Sequence, residues 1–121
     1  MFWPLMKDCI TDQDKQDLIN FIKTSNRYTN GTKVKELEEQ WSKWLGVRHS
    51  LFVSSGSTAN FLLLSALKVR YNLKPGDKVL VPAMTWVTNI GPVIQLGLQP
   101  IFCDVDPVTF SFNTNHLKTL A

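Results

Sequence analysis

At 121 residues the chain is one domain or part of one, and its 44% apolar content is enough for a folded core. Its net charge of +3 comes from ten Lys and three Arg scattered along the chain, so no nucleic-acid footprint stands out. No apolar run reaches membrane-span length, and the apolar start, Met1 to Met6, is too short and charged too late for a signal peptide.

Thr11-Asp12-Gln13-Asp14 reads as a capping box ahead of Leu18, Ile19, Phe21 and Ile22, which share a helical face; a helix to about Ser25 is expected. Cys9, just before it, and Cys103 have neither CxxC spacing nor a nearby His, so both are expected as buried, reduced thiols of a cytoplasmic protein. Asn26 to Thr32 holds the turn signal Asn30-Gly31 and carries Arg27 and Tyr28 in exposed-looking positions. Val34, Leu37, Trp41, Trp44 and Leu45 then recur at three- and four-residue steps with Glu36, Glu38, Glu39 and Lys43 between them. This is an amphipathic helix stopped by Gly46, on which Lys33 and Lys35 read as a solvated face and the two Trp as packing residues.

The texture changes at Val47, which separates a helical segment, 1–46, from an α/β part, 47–121. Leu51-Phe52-Val53 reads as a short buried strand, and a nearly all-apolar helix follows over about Thr58 to Val69. Leu73-Lys74-Pro75-Gly76-Asp77 is a tight turn, Lys78–Pro82 a second strand, Val87–Leu96 a helix stopped by Gly97, and Pro100–Val105 a third strand. Thr114-Asn115-His116-Leu117 looks like the opening of another helix. Short apolar strands alternating with helices predict a parallel α/β sheet covered on both faces, with its site at the carboxyl ends of the strands. The Ser/Gly turn after Val53, the Pro82–Thr88 loop and Asp104-Val105-Asp106 should therefore converge. The alternation breaks off at residue 121, so the sheet is expected to be incomplete, with an unpaired edge and a tendency to self-associate.

The turn itself, Ser54-Ser55-Gly56-Ser57-Thr58-Ala59-Asn60, has two readings. It is either a plain strand end and helix cap, or a set of backbone N–H groups that, with the helix dipole behind them, bind a small anion such as phosphate. Trp86, just past a strand end on the same rim, either fills core space or stacks on a planar ring whose phosphate Ser57 and Thr58 hold. Asp104 and Asp106 form either a carboxylate pair for acid/base work or, with Pro107 next, a turn. His49 and His116 have no partners at ligand spacing, so no metal site is expected.

From about Arg27 to Leu120, close to four-fifths of the chain, the sequence resembles the sugar aminotransferase family often called DegT/DnrJ/EryC/StrS. The matching elements come in order: Tyr28-Thr29-Asn30-Gly31 before the Val34–Leu45 helix, Ser55-Gly56-Ser57, Lys74-Pro75-Gly76-Asp77-Lys78-Val79, Pro82-Ala83-Met84-Thr85-Trp86, Gly97-Leu98-Gln99-Pro100, and Phe102-Cys103-Asp104-Val105-Asp106. The resemblance implies the start of the fold type I large domain of an enzyme using pyridoxal phosphate (PLP), within nucleotide-sugar and lipopolysaccharide biosynthesis. It implies that Gly56, Ser57 and Thr58 bind the cofactor phosphate and that Trp86 stacks on its pyridine ring. It further implies a nucleotide-linked keto-sugar substrate, an amino donor such as glutamate, and a homodimer with Tyr28–Gly31 near the interface; no nucleic acid or membrane partner is implied.

Two departures from the family pattern matter. Ser55-Gly56-Ser57-Thr58-Ala59-Asn60 looks like the branch of keto-sugar dehydrases, which remove a hydroxyl without transferring an amine, whereas Met84-Thr85-Trp86 looks like the aminotransferase branch. The family's Schiff-base lysine (a histidine in the dehydrases) and the aspartate that pairs with the pyridine nitrogen have no counterpart up to residue 121, and none of the ten Lys matches that lysine's context. No catalytic residue is therefore assigned. The main expectation is the N-terminal portion of an aminotransferase; the alternatives are a dehydrase of the same family or a non-catalytic fragment. A Rossmann-type nucleotide binder is disfavoured, because no GxGxxG follows the first strand.

Overall fold

The computed structural model describes residues 6–120; most of the apolar start, residues 1–5, lies outside them. The chain divides after Phe52 into two compact units.

The first unit is helical. Helix α1, Asp12–Thr24, opens on a complete capping box, with the Asp14 N–H donating to Thr11 Oγ1 and the Thr11 N–H donating back to Asp14 Oδ2 at 2.7 Å. The Thr11 hydroxyl and N–H hold the Asp14 carboxyl below its ordinary pKa. Helix α2, Thr32–Leu45, ends at Gly46, whose φ of +72° is a left-handed conformation that a side chain would strain.

Three expectations for this unit are corrected. Leu51 and Phe52 belong to no strand and stand well exposed, because a strand requires a paired neighbour, and the Phe52 N–H is spent on the Glu38 carboxylate at 2.9 Å. Trp41 and Trp44 are not core residues: they are 51% and 74% exposed, packed on each other with ring centroids 5.0 Å apart and planes tilted by 38°. Cys9 is exposed, whereas Cys103 in the second unit is fully buried, as expected.

In the second unit, helix α3, Gly56–Tyr71, precedes strand β1, Lys78–Pro82. A single 3-10 turn, Val87–Asn89, and the short helix α4, Gly91–Gln95, lead to strand β2, Gln99–Cys103, and helix α5, Thr114–Leu120, follows. The predicted continuous helix over 87–96 is thus broken. Pro92 has no N–H to donate and its ring crowds the carbonyl four residues back, so it starts α4 but cannot continue the preceding turn. The predicted third strand also stops short: Val105 leaves β2 to bridge Phe112 in antiparallel fashion.

Strands β1 and β2 pair in parallel, Lys78 beside Gln99 through Pro82 beside Cys103, which is the parallel α/β arrangement expected. Val81, Val93 and Leu98 form the buried centre, with Leu64, Leu73, Val79, Ile90 and Leu96 packed around them. This small core clamps α4 to the sheet and so fixes both ends of the 83–90 segment. Among the described residues no helix is long and apolar enough to cross a membrane.

Candidate functional site

Parallel pairing brings the carboxyl ends of β1 and β2 to one edge, and the Ala83 N–H donates to the Cys103 carbonyl at 2.7 Å just beyond it. The loops after both strands therefore leave from one rim. The first turn of α3 reaches the same place through Asn60, whose side-chain amide donates to the Thr88 carbonyl at 3.3 Å and to Asn89 Oδ1 at 2.9 Å. These bonds join the Ser/Gly turn to the loop after β1 and that loop to Cys103 at the end of β2; none of them reaches Asp104-Val105-Asp106, which follows Cys103 in the chain.

Ser55 caps α3 in extended conformation, its Oγ accepting the Thr58 N–H at 3.2 Å. The Thr58 hydroxyl sits 3.1 Å from both Ser54 Oγ and Ser55 Oγ, so Thr58 is already engaged in the cap. The N–H groups of Gly56 and Ser57 bond to nothing among the described residues. No acidic side chain stands in the first turn to offset the helix dipole, which leaves two aligned donors at the positive end of a 16-residue helix. A Cβ built on Gly56 meets nothing within 4 Å, and the residue does not have positive φ. Neither packing within this chain nor backbone conformation requires glycine here. Ser57 also lines an open groove of about 200 Å³ with Val87, Thr88, Gly91, Pro92 and Gln95.

Trp86 stands at the start of the 3-10 turn and is 74% exposed, so core filling does not explain it. Its flank is held by polar bonds: Asn89 Nδ2 donates to Thr85 Oγ1 at 2.7 Å, and the Asn89 N–H donates to the Trp86 carbonyl at 3.0 Å. The free donors on α3 and the exposed indole on the loop after β1 are the residue types that a phosphorylated planar cofactor needs.

Asp106 makes a turn. Its Oδ1 accepts the N–H groups of Thr109 and Val108, each at 2.8 Å, and these bonds hold its carboxyl below the ordinary value of 3.8. A lowered folded pKa means that the stabilisation is present above the ordinary value and is lost as pH falls through the folded one. The Val108 and Thr109 amides are therefore expected to lose exchange protection below about pH 3.8, and Asp106→Asn, which keeps an acceptor oxygen without the charge, to abolish that acid sensitivity. An unchanged acid response in the variant would rule the explanation out.

Asp104 does something the sequence did not signal. Its N–H donates to His116 Nδ1 at 3.1 Å, tying the start of α5 to the end of β2. A link spanning 12 residues has no periodicity to give it away. The bonds of Asn60, which the sequence marks only as part of the Ser54–Asn60 turn, have no such signal either. Among the described residues no three His, Cys, Asp or Glu side chains gather as a metal site would need.

The sequence profile described as the DegT/DnrJ/EryC1/StrS aminotransferase family matches residues 8–120. The chain is 38% identical over 110 residues to a GDP-4-keto-6-deoxy-D-mannose 3-dehydratase of Yersinia pseudotuberculosis, covering 89% of this chain and 28% of that protein. It is 35% identical over 105 residues to a UDP-4-amino-4-deoxy-L-arabinose--oxoglutarate aminotransferase of Shewanella sediminis, covering 87% of this chain and 26% of that one. The structure of the Escherichia coli GDP-4-keto-6-deoxy-D-mannose-3-dehydratase with bound hydrated PLP superposes with a TM-score of 0.88 at 34% identity, covering 99% of this chain and 31% of that one. Structures of a GDP-4-keto-6-deoxymannose-3-dehydratase with a trapped PLP-glutamate geminal diamine and with bound GDP-perosamine each superpose with a TM-score of 0.87, at 34% identity and the same two coverages, 99% and 31%. The chain thus spans between a quarter and a third of the length of these proteins.

Proposed function

Because the chain belongs to the DegT/DnrJ/EryC1/StrS aminotransferase family, we propose that it supplies the phosphate- and ring-holding part of a PLP-dependent enzyme acting on a nucleotide-linked keto-sugar. The observation that carries this is the pair of free N–H groups at Gly56 and Ser57, with Ser57 sharing a groove with Val87 and Thr88, the residues that follow the exposed Trp86. Gly56 and Ser57 receive the phosphate through their backbone, the Ser54, Ser55 and Thr58 hydroxyls fix the turn, and Trp86 covers one face of the pyridine ring. Bound PLP supplies an electron sink at the carbon next to the reacting nitrogen.

Within the family we favour a keto-sugar 3-dehydratase. Supporting this are the Ser55-Gly56-Ser57-Thr58-Ala59-Asn60 turn and the likeness to 3-dehydratases in both sequence and structure. The aminotransferase reading keeps the Met84-Thr85-Trp86 loop and the likeness to the Shewanella enzyme. Glutamate as amino donor, a GDP-linked sugar and a homodimer belong to the same proposal; the first two draw on the ligands of the related dehydratase. Product analysis on the protein bearing this chain, given a nucleotide-linked 4-keto-sugar and glutamate, separates the two: a 3-deoxy sugar marks the dehydratase, an amino sugar the transferase.

The phosphate site has its own test. Gly56→Ala should leave folding stability unchanged or raise it by about 0.5 kcal/mol, since the added methyl has room and reduces the freedom of the unfolded chain. Affinity for inorganic phosphate and for 4′-deoxypyridoxine 5′-phosphate, which has no aldehyde to react with lysines, should fall by about tenfold as the backbone can no longer be approached closely. Parent-like binding by calorimetry would remove Gly56 from the site.

A further inference from the structure

We propose that Asn60 is a positioning residue: it fixes the Thr85–Asn89 turn against the first turns of α3, so that ring and phosphate of one ligand are held at a set separation. The inference rests on the cofactor reading above and adds to it the device that couples its two halves.

The phosphate donors and the indole lie on segments about 30 residues apart in sequence, and a relay of side-chain bonds spans the gap. Asn60 Nδ2 donates to Asn89 Oδ1 and to the Thr88 carbonyl, and Asn89 Nδ2 in turn donates to Thr85 Oγ1. Thr85 and Asn89 bracket Trp86. The Asn89 N–H closes on the Trp86 carbonyl, so fixing Asn89 fixes the backbone from which the indole projects. Packing holds the far end of this segment through Ile90 and Val93, but Met84, Trp86 and Val87 are all exposed and find no apolar anchor. The Asn60 amide carries the two N–H donors that these bonds use; a leucine there would pack but leave the turn untied.

The partition of affinity between two probes tests this. Inorganic phosphate reads the α3 turn alone, whereas 4′-deoxypyridoxine 5′-phosphate reads the turn plus the ring contact, so their ratio isolates the positioning of Trp86. In the parent chain the ring-bearing probe should bind more tightly. Asn60→Leu should leave phosphate affinity unchanged and cut the ratio by about tenfold, with amide exchange at Asn89 and Ile90 faster by a similar factor. Asn89→Ala, at an exposed position, should do the same, and the double variant should be no worse than either single one because both break one relay. Asn60→Asp has no donor for the Thr88 carbonyl and sets a carboxylate against it, so it should cut the ratio as Asn60→Leu does and, through its charge, weaken both probes as well. A ratio that ignores Asn60→Leu, or additive losses in the double variant, overturns the proposal while leaving the cofactor reading intact. If the parent binds neither probe, the cofactor reading fails and the proposal with it.

Discussion

Leu98→Ala should destabilise the second unit by about 2–5 kcal/mol, the cost of deleting buried methyl groups and leaving a cavity. Leu98 is 4% exposed and packs with Val81 of β1 and Val93 of α4 at the junction of sheet and helix. With so few buried side chains in this unit, no neighbour is free to collapse into the gap. Leu63→Ala is the control: that residue, on α3, is 61% exposed, and its truncation should change stability by no more than about 0.5 kcal/mol. Urea denaturation followed by circular dichroism measures both. A larger loss at Leu63 than at Leu98 would mean that the apolar face of α3, not the β1–α4–β2 junction, carries the fold in solution, as it would if copies of the chain associated through that face.

The elements that were legible in the sequence are those whose cause is local. Thr11 and Asp14 announce α1 by chemistry three residues apart, and Gly46 and Gly97 mark helix ends that need left-handed backbone. Strand Lys78–Pro82 was readable from an apolar run bounded by turn residues, and the run read as Pro100–Val105 located the strand that spans Gln99–Cys103. Leu51-Phe52-Val53 has the same texture and forms no strand, because texture specifies a willingness to pair and the partner is supplied elsewhere. Heptad-like spacing likewise gave the helix of Trp41 and Trp44 but not their burial, which depends on what lies against that face. In the candidate site, Gly56, Ser57 and Trp86 were visible as residue types in a strand-turn-helix setting. The bonds of Asn60 and Asn89 and the Asp104–His116 pair were not, since polar side chains that meet across a fold leave no spacing in the sequence.

Replacing Trp86 by alanine is expected to weaken binding of 4′-deoxypyridoxine 5′-phosphate by about 1–3 kcal/mol, combining lost aromatic stacking with lost apolar burial. The indole is 74% exposed, so its truncation opens no cavity and should leave the unfolding midpoint nearly unchanged. Affinity and stability therefore separate at this position, which they could not do at a core tryptophan. Trp86→Phe keeps a flat apolar face and should recover most of the affinity, whereas Trp86→Leu, of comparable hydrophobicity but without the ring face, should recover less. Trp41→Ala serves as the control for removing an exposed indole: Trp41 packs on Trp44 in the first unit and has no part in the proposed ring contact, so binding should stay at the parent level. Inorganic phosphate affinity should be the same in all four variants, because the Gly56 and Ser57 N–H groups are untouched. Calorimetric titration of each variant with both probes checks the pattern. Parent-like affinity of Trp86→Ala for the ring-bearing probe would show that the pyridine ring lies away from this indole, and the loop after β1 would then have to be read as an edge of the groove, not as its lid.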